Sequence, residues 1–375
     1  MADKFRLTLT TAITLIEQFQ QAVSSPVGDL TSEELSGKDA LPLLSASASA
    51  LRAQVTKLSL LAITTPFTQS AITSVLTDLN ESVLPSIVTA ALLVTPAAHT
   101  KAFQNEVRSL TKTALKDISS LLKEIQTVAD KKNEVKKAKK KENDLSQPEK
   151  DAVTIAAGRV WNGCDVLIDV AAKGVVGFVV RRVEEWRDLV RDAIEEIEEW
   201  DPDDEDDFFD DLLSDHDEQS ALKKEDGSES DDDDDGGGDD EEDMAMLHER
   251  KKSTLRMLKP VSQLYPAIVA NRLKKPFESL SAIKQLELLM IQLQPISGNV
   301  DEVAGALYES DWPKHSQYLR NVKKCAVNAV NVAILPLDGS QHQGGEDRFE
   351  SWSKTWLNVM DEVSRFACSG GEGST

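Results

Sequence analysis

The chain has 375 residues and a net charge of −23, because 65 Asp and Glu residues outnumber 42 Lys and Arg residues. Almost all of this charge lies in residues 201–243, which hold 24 acids and two lysines, so the rest of the chain is nearly neutral. Because phosphates repel such a segment, its composition argues against direct nucleic-acid binding.

Cysteine spacing and hydropathy narrow the class of protein further. Cys164, Cys325 and Cys368 lie far apart, which argues against a disulfide framework or a zinc site and favours a reducing compartment. No secretory signal is visible at the start of the sequence, and the most apolar run is too short to cross a bilayer. We therefore expect a soluble intracellular protein without a membrane role.

The first half of the chain has a helical pattern of apolar residues. They recur every three or four positions, and no alternating strand pattern stands out, so we predict an all-α fold. The first predicted helices cover Leu7 to Phe19, Pro42 to Leu61, and Phe67 to about Leu93 with a kink or restart at Pro85. Phe103 to Val128 gives the cleanest pattern of this half, and one face of that helix is predicted to be core.

A lysine-rich run follows this helix. Structurally it is a solvated helix end, where cations are favourable, followed by a loop. Functionally it resembles a nuclear-import signal. The lysines of this predicted import run are Lys131, Lys132, Lys136, Lys137, Lys139, Lys140 and Lys141.

The next helix leads directly into the acidic segment. Ala152 to Val170 is predicted to be helical, and Gly174 and Gly177 indicate a break or a close approach of the backbone. A repeat of fours and threes then forms an apolar seam, made of Val179, Val183, Trp186, Val190, Ala193, Ile197 and Trp200. The seam is either the buried stripe of a bundle helix or, at its Trp200 end, a docking strip for a partner helix.

Residues 201–243 are predicted to form a disordered linker, because so many like charges cannot bury enough apolar surface to fold. The segment is either a solvating spacer or an attractor of basic protein tails. Its apolar pairs suggest a partner-binding motif, so the predicted contact set is Trp200, Phe208, Phe209, Leu212 and Leu213. Three serines have an acid three residues later and are predicted phosphorylation sites: Ser214, Ser228 and Ser230.

The second half again has a helical pattern. We predict two pieces separated at Pro260, an apolar helix from Leu280 that breaks at Pro295 to Gly298, and a short helix to Tyr308. Two more helices follow, from Tyr318 to Leu335 and from Phe349 to Phe366. The predicted domains are thus an N-terminal bundle (1–200), the linker (201–243), a C-terminal helical region (244–368) and a disordered tail (369–375).

Catalytic motifs are missing from the sequence. The five histidines are scattered, and the chain contains no phosphate-binding loop, no dinucleotide fingerprint and no nucleophile elbow. The acidic runs lack the fixed spacing of an EF-hand. We predict a protein that is not an enzyme and that uses no cofactor and no metal.

Four stretches together resemble the cyclin-D-binding protein family, also called GCIP. They are Arg159 to Asp165, Asp192 to Glu199 leading into the acidic segment, Thr56 to Leu60 before Pro66, and Ser297 to Ala304 with Leu307 and Tyr308. The order of parts, helical half, acidic middle and helical half, fits the same family. The Asp run and the Lys-rich loop differ from animal members and favour a fungal one.

The resemblance implies helical bundles of the talin and vinculin type in a protein of nucleus and cytoplasm. It also implies protein partners, namely D-type cyclins or helix-loop-helix regulators, with residues 280–335 able to supply a helix pair. We therefore predict an interaction adaptor that regulates cell cycle or transcription by helix docking. The alternatives are an acidic chaperone for histones and other basic proteins, and a cytoskeletal helical-bundle protein.

Overall fold

The computed structural model describes residues 2–25, 39–137, 145–204, 237–274, 280–337 and 347–368. All regular secondary structure in these ranges is helical, which confirms the predicted all-α fold. The chain divides into two compact units, Met1–Phe178 and Val179–Thr375. Residues 205–236 of the predicted linker, and the predicted tail from residue 369, lie outside the described residues.

The first unit is built from α1 (Ala2–Ser24), α2 (Ala40–Ile63), α3 (Gln69–Asp78), α4 (Leu84–Leu93), α5 (Pro96–His99), α6 (Lys101–Lys137) and the first part of α7 (Gln147–Glu199). Helix α1 packs on α3 and α6, and α2 packs on α4. A π-helical turn, Leu79–Val83, joins α3 to α4, and Pro85 lies in the first turn of α4. Because a helix tolerates proline in its first turn, the predicted restart at Pro85 is confirmed.

Helix α6 supplies the central apolar face of this unit. Its predicted core positions from Phe103 to Val128 are buried, except for the half-buried Leu110. The ring of Phe103 is fully buried and meets the ring of Phe178 edge to face, with centroids 5.5 Å apart. Burial of a ring of this size is a major source of stability for a small helical core.

Helix α7 is interrupted at Gly174, where φ is 61° and ψ is −164°. Glycine adopts this backbone conformation without strain, whereas a residue with a Cβ atom would be strained in it. At Gly177 an added Cβ would come within 2.5 Å of the Lys173 Cβ, so the chain also needs a glycine there. The predicted break and close approach are both confirmed.

The boundary between the units lies earlier than the predicted end of the first bundle at residue 200. Up to Phe178, α7 contacts the first unit: Asp165 pairs with Arg52 at 3.3 Å, and Phe178 packs on Phe103. After Phe178, Glu198 pairs with Lys259 at 2.5 Å. The last turns of α7 therefore belong to the second unit.

The second unit comprises residues 179–199 of α7, a 3₁₀ turn (Pro202–Asp204), α8 (Gly237–Arg272), α9 (Leu280–Tyr308), α10 (Trp312–Ile334) and α11 (Arg348–Cys368). Helix α9 packs along α10, while α11 packs on both α8 and α10. Helix α8 begins at Gly237, so it extends into the sequence range assigned to the linker.

Two predicted helix breaks are wrong. Helix α8 continues through Pro260 and Pro266, and α9 continues through Pro295 and Gly298. The residues that follow these prolines, including Val261, Leu264, Ile296 and Val300, are fully buried. Burial of the apolar face on both sides of each proline outweighs the one backbone hydrogen bond that proline removes.

A buried arginine fixes the end of α10 against the start of α11. The Arg272 guanidinium donates to the carbonyls of Ala333 and Ile334, at 2.5 Å and 2.8 Å. It also pairs with Asp347 at 2.8 Å and lies 4.6 Å above the ring of Phe349. The carbonyls that α10 leaves unpaired at its C-terminus are thereby bonded, as helix ends require.

Candidate partner-binding surface

The apolar seam of α7 is mainly core. Five of its seven residues are buried, namely Val179, Val183, Val190, Ala193 and Ile197. Trp186 and Trp200 are half-buried. The interpretation of the seam as a bundle stripe is therefore confirmed up to Ile197, and Trp200 marks where the helix reaches the surface.

Trp200 lies in a small cluster of polar and aromatic groups. Its ring packs on the ring of Tyr308, with centroids 4.8 Å apart. Lys251 donates to the carbonyls of Glu198 (3.1 Å) and Trp200. A cation bonded to the last carbonyls of a helix complements the helix dipole, so Lys251 fixes the end of α7.

The same end of the unit is acidic. The Tyr308 hydroxyl donates to Glu196 at 3.5 Å, and burial together with the Glu196 charge raises the pKa of Tyr308 to about 12. Burial and the charges of Glu196 and Glu302 also raise the pKa of Asp301. Tyr308 therefore keeps its hydroxyl proton and donates it in a hydrogen bond to the Glu196 carboxylate.

A tight turn between α9 and α10 brings Trp312 to this end. Ser310 adopts a φ of 55°, the left-handed conformation that terminates α9. Asp311 then caps α10, accepting a hydrogen bond from the Lys314 amide at 3.1 Å. Because the cap fixes the first turn, the half-buried Trp312 has a defined position.

These elements enclose an acid-rimmed groove of about 330 Å³, lined by Pro202, Asp203, Asp243, Met244, Met246, Leu247, Ser310 and Trp312. Its lining combines polar and apolar residues, and the apolar ones differ in exposure: Leu247 and Pro202 are buried, Met244 is half-buried, and Met246 is 41% exposed. Its carboxylates, Asp203 and Asp243, are exposed. A depression that combines apolar side chains with a few convergent polar groups is a common form of a binding site.

Both ends of the acidic segment meet at this groove. His248 Nε2 lies 3.2 Å from Asp203 Oδ1, which joins the start of α8 to the 3₁₀ turn. The segment between them, residues 205–236, contains 16 acids and two lysines. Asp203 and Asp243, which flank this segment in the sequence, both line the groove.

Asp201, Asp203 and His248 also form the one trio in the described residues whose possible metal-ligand atoms all lie within 4.8 Å of one another. All three side chains are exposed. The His248–Asp203 contact is an ion pair when the imidazole is protonated. An exposed carboxylate pair beside a histidine accounts for this geometry without an ion.

The structure places only part of the predicted contact set. Trp200 packs on Tyr308 and lies two residues before Pro202, which lines the groove. Phe208, Phe209, Leu212 and Leu213 lie outside the described residues. The predicted phosphorylation sites Ser214, Ser228 and Ser230 lie outside them as well. Their roles stay predictions.

The predicted import run begins on the last turns of α6. Lys131 pairs with Glu149 at 2.7 Å, and Lys132 is buried. The side chains of Lys136 and Lys137, and residues Lys139, Lys140 and Lys141, lie outside the described part of the chain. Lys131 and Lys132 thus make contacts within the first unit.

Sequence reasoning missed Met244, Met246 and Trp312 as lining residues of one groove. The two methionines follow the last acids of the segment directly, which was a usable signal, since methionine suits adaptable binding surfaces. Trp312 lies far away in sequence, and only the turn at Ser310 brings it to the same place.

Part of the chain matches a known protein family. Residues 43–203 match the family described as "Grap2 and cyclin-D-interacting, N-terminal". This stretch is similar to the N-terminal domain of that family. The match confirms the resemblance seen in the sequence, and the Grap2 and cyclin-D-interacting domain ends at Asp203, on the wall of the groove. No curated protein gives a match to the chain.

One further structural property bears on the class of protein. None of the helices in the described ranges combines the length and apolar character that crossing a bilayer requires.

Proposed function

We propose that this protein is a non-catalytic adaptor that binds cell-cycle or transcription regulators at the Trp200 end of its second unit. The observation that carries the proposal is the acid-rimmed groove at the end of a Grap2 and cyclin-D-interacting domain. The family description names cyclin D, so D-type cyclins are the first partner class to test. Helix-loop-helix regulators, which the sequence resemblance implies, are the second. Docking of a partner helix suits a groove bounded by helix ends.

The non-catalytic part of the proposal is supported by the packed environment of the reactive side chains. Burial and the neighbouring Asp165 raise the pKa of Cys164 to about 12, so this thiol is not a ready nucleophile. Burial and the Arg250 charge lower the pKa of His315 to about 4, and its Nε2 is bonded to Thr254 at 2.8 Å. Both groups have the properties of core residues.

The test is a binding titration of the full chain with a purified D-type cyclin and, separately, with a purified helix-loop-helix dimerisation region. We expect saturable binding of at least one, weakened by Trp200→Ala and unchanged by Trp352→Ala on α11 as the matched control. No binding of either protein, or equal binding by both variants, would contradict the proposal.

The charge of residues 205–236 supports a second candidate function, an acidic chaperone for histones and similar basic proteins. This function depends on charge alone, so histone binding should weaken steeply with salt and disappear when residues 205–236 are deleted. Histone binding that persists in the deleted chain at moderate salt would exclude it.

Localisation follows from the same proposal. A regulator of cyclins or transcription factors works in nucleus and cytoplasm, and the lysine run is the proposed import signal. Alanine at Lys136, Lys137, Lys139, Lys140 and Lys141 should abolish nuclear accumulation of the full chain. Unchanged accumulation would remove the import role and leave the groove proposal intact. Phosphorylation in the acidic segment and a fungal origin remain predictions.

A further inference from the structure

We infer that the acid-rimmed groove selects a cationic amphipathic helix, with apolar side chains entering the groove and Lys or Arg facing the acids around it. This inference rests on the proposed function and names the chemistry of the partner. It differs from charge-driven chaperoning, because it requires the apolar side chains of the partner to lie on one face.

The apolar part of the site comes from flexible side chains. Met244 and Met246 lie on the first described turns of α8, and Trp312 faces them from the start of α10. Methionine adapts to differently shaped apolar partners, and tryptophan gives a large rigid contact. A groove of about 330 Å³ has room for about two or three aliphatic side chains.

The nearby cations are already engaged with groups of this unit. Lys251 is bonded to two carbonyls at the end of α7, and Arg250 lies 5.6 Å from the centre of the Trp312 ring. Lys252 pairs with Glu249 at 3.6 Å, and Lys314 approaches Glu309 at 3.9 Å. The exposed carboxylates of the groove are Asp243 and Asp203, which contacts His248, and the exposed Asp201 lies beside Asp203.

The stretches of sequence that contain Asp203 and Asp243 add further negative charge. Residues 201–207 contain six acids, residues 239–243 contain five, and neither stretch contains a lysine or arginine. One residue of each stretch, Asp203 and Asp243, lines the groove. Charges concentrated at a groove steer an oppositely charged partner toward it.

A helix fits this site better than an extended peptide. The described part of the second unit contains no strand whose edge could pair with an extended chain. The groove is bounded by the start of α8, the start of α10 and the 3₁₀ turn. A partner helix can place residues at positions i, i+3 and i+4 between such elements.

The experiment uses the full chain and three synthetic peptides of equal length made for fluorescence anisotropy. The first has Leu at i, i+3, i+4 and i+7 and Lys elsewhere. The second has the same composition with the Leu residues dispersed, and the third has the first pattern with Glu in place of Lys. We expect the first to bind at least about tenfold more tightly than the second, and the third not to bind.

Matched substitutions locate the site. Met246→Gln should weaken binding of the first peptide about fivefold to tenfold, because it removes apolar surface without changing charge. Leu189→Gln is the control, since Leu189 is 52% exposed on α7 and does not line the groove. Asp201→Asn with Asp203→Asn should weaken binding at low salt by about threefold and have less effect at high salt. Circular dichroism confirms that each variant is folded.

Equal binding of the patterned and dispersed peptides, or an unchanged affinity of Met246→Gln, would overturn the inference. Failure of the inference can be separated from failure of the proposed function. A full chain that binds a D-type cyclin or a helix-loop-helix region but not the cationic peptide contradicts the inference alone. A chain that binds none of these probes contradicts both.

Discussion

The two units bury polar groups in different ways. In the first, buried hydroxyls of Thr73 and Thr111 donate to carbonyls one turn earlier in their own helices, at 2.7 Å and 2.8 Å. In the second, buried polar groups join different helices: Arg272 joins α8 to the end of α10, and Thr254 bonds His315 at 2.8 Å. The first unit also has a buried bond between elements, from Gln104 on α6 to the Val94 carbonyl after α4 at 2.8 Å. The second unit differs by adding a buried charge, since Arg272 pairs with Asp347 at 2.8 Å.

This difference matters for the binding surface. Local hydroxyl bonds do not fix how one helix lies against another, whereas bonds between helices require one arrangement. The acid-rimmed groove is formed by residues of α8, α10 and the 3₁₀ turn, so its shape depends on how these elements are held. The polar bonds of the second unit thus support a defined partner site.

The largest effect is expected in the first unit, from Phe103→Ala. Removing a fully buried ring that packs on Phe178 should lower the free energy of unfolding by about 4 kcal/mol. Far-ultraviolet circular dichroism during denaturation would measure it. A loss below about 1 kcal/mol would show that this interior does not depend on the packing around Phe103.

Arg272→Met should lower the free energy of unfolding of the second unit by about 3 kcal/mol, because Asp347 and two carbonyls lose a buried partner. Tryptophan fluorescence reports mainly on this unit, since five of the six tryptophans lie in it. Arg191→Met is the control: Arg191 is 55% exposed, and a change below about 0.5 kcal/mol is expected. Equal effects of the two substitutions would mean that the buried bonds of Arg272 stabilise the second unit no more than an exposed ion pair does.

Acidification should destabilise the second unit through His315. Burial and the Arg250 charge lower its pKa to about 4, while an unfolded histidine has a pKa of about 6.5. The unfolded state therefore binds more protons between these values, so stability is full above about pH 6.5 and falls toward about pH 4. The expected loss from about pH 7 to about pH 5 is about 2 kcal/mol.

The control for this pH dependence is His315→Asn, which keeps a hydrogen-bonding group beside Thr254 but does not titrate. Fluorescence-monitored unfolding of the two proteins across this pH range should show a weaker pH dependence in the variant. Identical pH dependence would mean that His315 is not protonated on unfolding as described.

The smallest effect is expected at the exposed ion pair of the first unit. Lys131 is 56% exposed and pairs with Glu149, whose pKa is lowered to about 2 by hydrogen bonds from Lys131 and Ser146. Since solvent screens such a pair, Lys131→Ala should cost less than about 1 kcal/mol in a circular dichroism titration. If Lys131→Ala cost as much as Arg272→Met, an exposed ion pair would stabilise the protein as much as the buried bonds of Arg272, which the account does not expect.

Most of the fold could be predicted from local patterns. Three features depend only on neighbouring residues and were therefore predictable from the sequence. They are the apolar period of α6, the seam of α7, and the glycines at 174 and 177. The continuity of α8 through Pro260 and of α9 through Pro295 was missed, because it depends on burial against other helices. Trp356 Nε1, for example, donates to the Pro260 carbonyl at 2.8 Å from α11.

The candidate site was only partly predictable. Trp200 was identified from the seam, and the acidic charge was plain in the sequence. The groove also needs Trp312, a positive φ at Ser310 and the contact between Asp203 and His248. Such contacts join residues from distant parts of the chain, so no local pattern contains them.

Amide hydrogen exchange of the full chain, with and without the patterned cationic peptide, tests the central claim most directly. The account predicts slower exchange at residues 243–247 and 310–312, which line the groove, and unchanged exchange in α1 to α6. Tight binding of the peptide without protection at either groove stretch would contradict it.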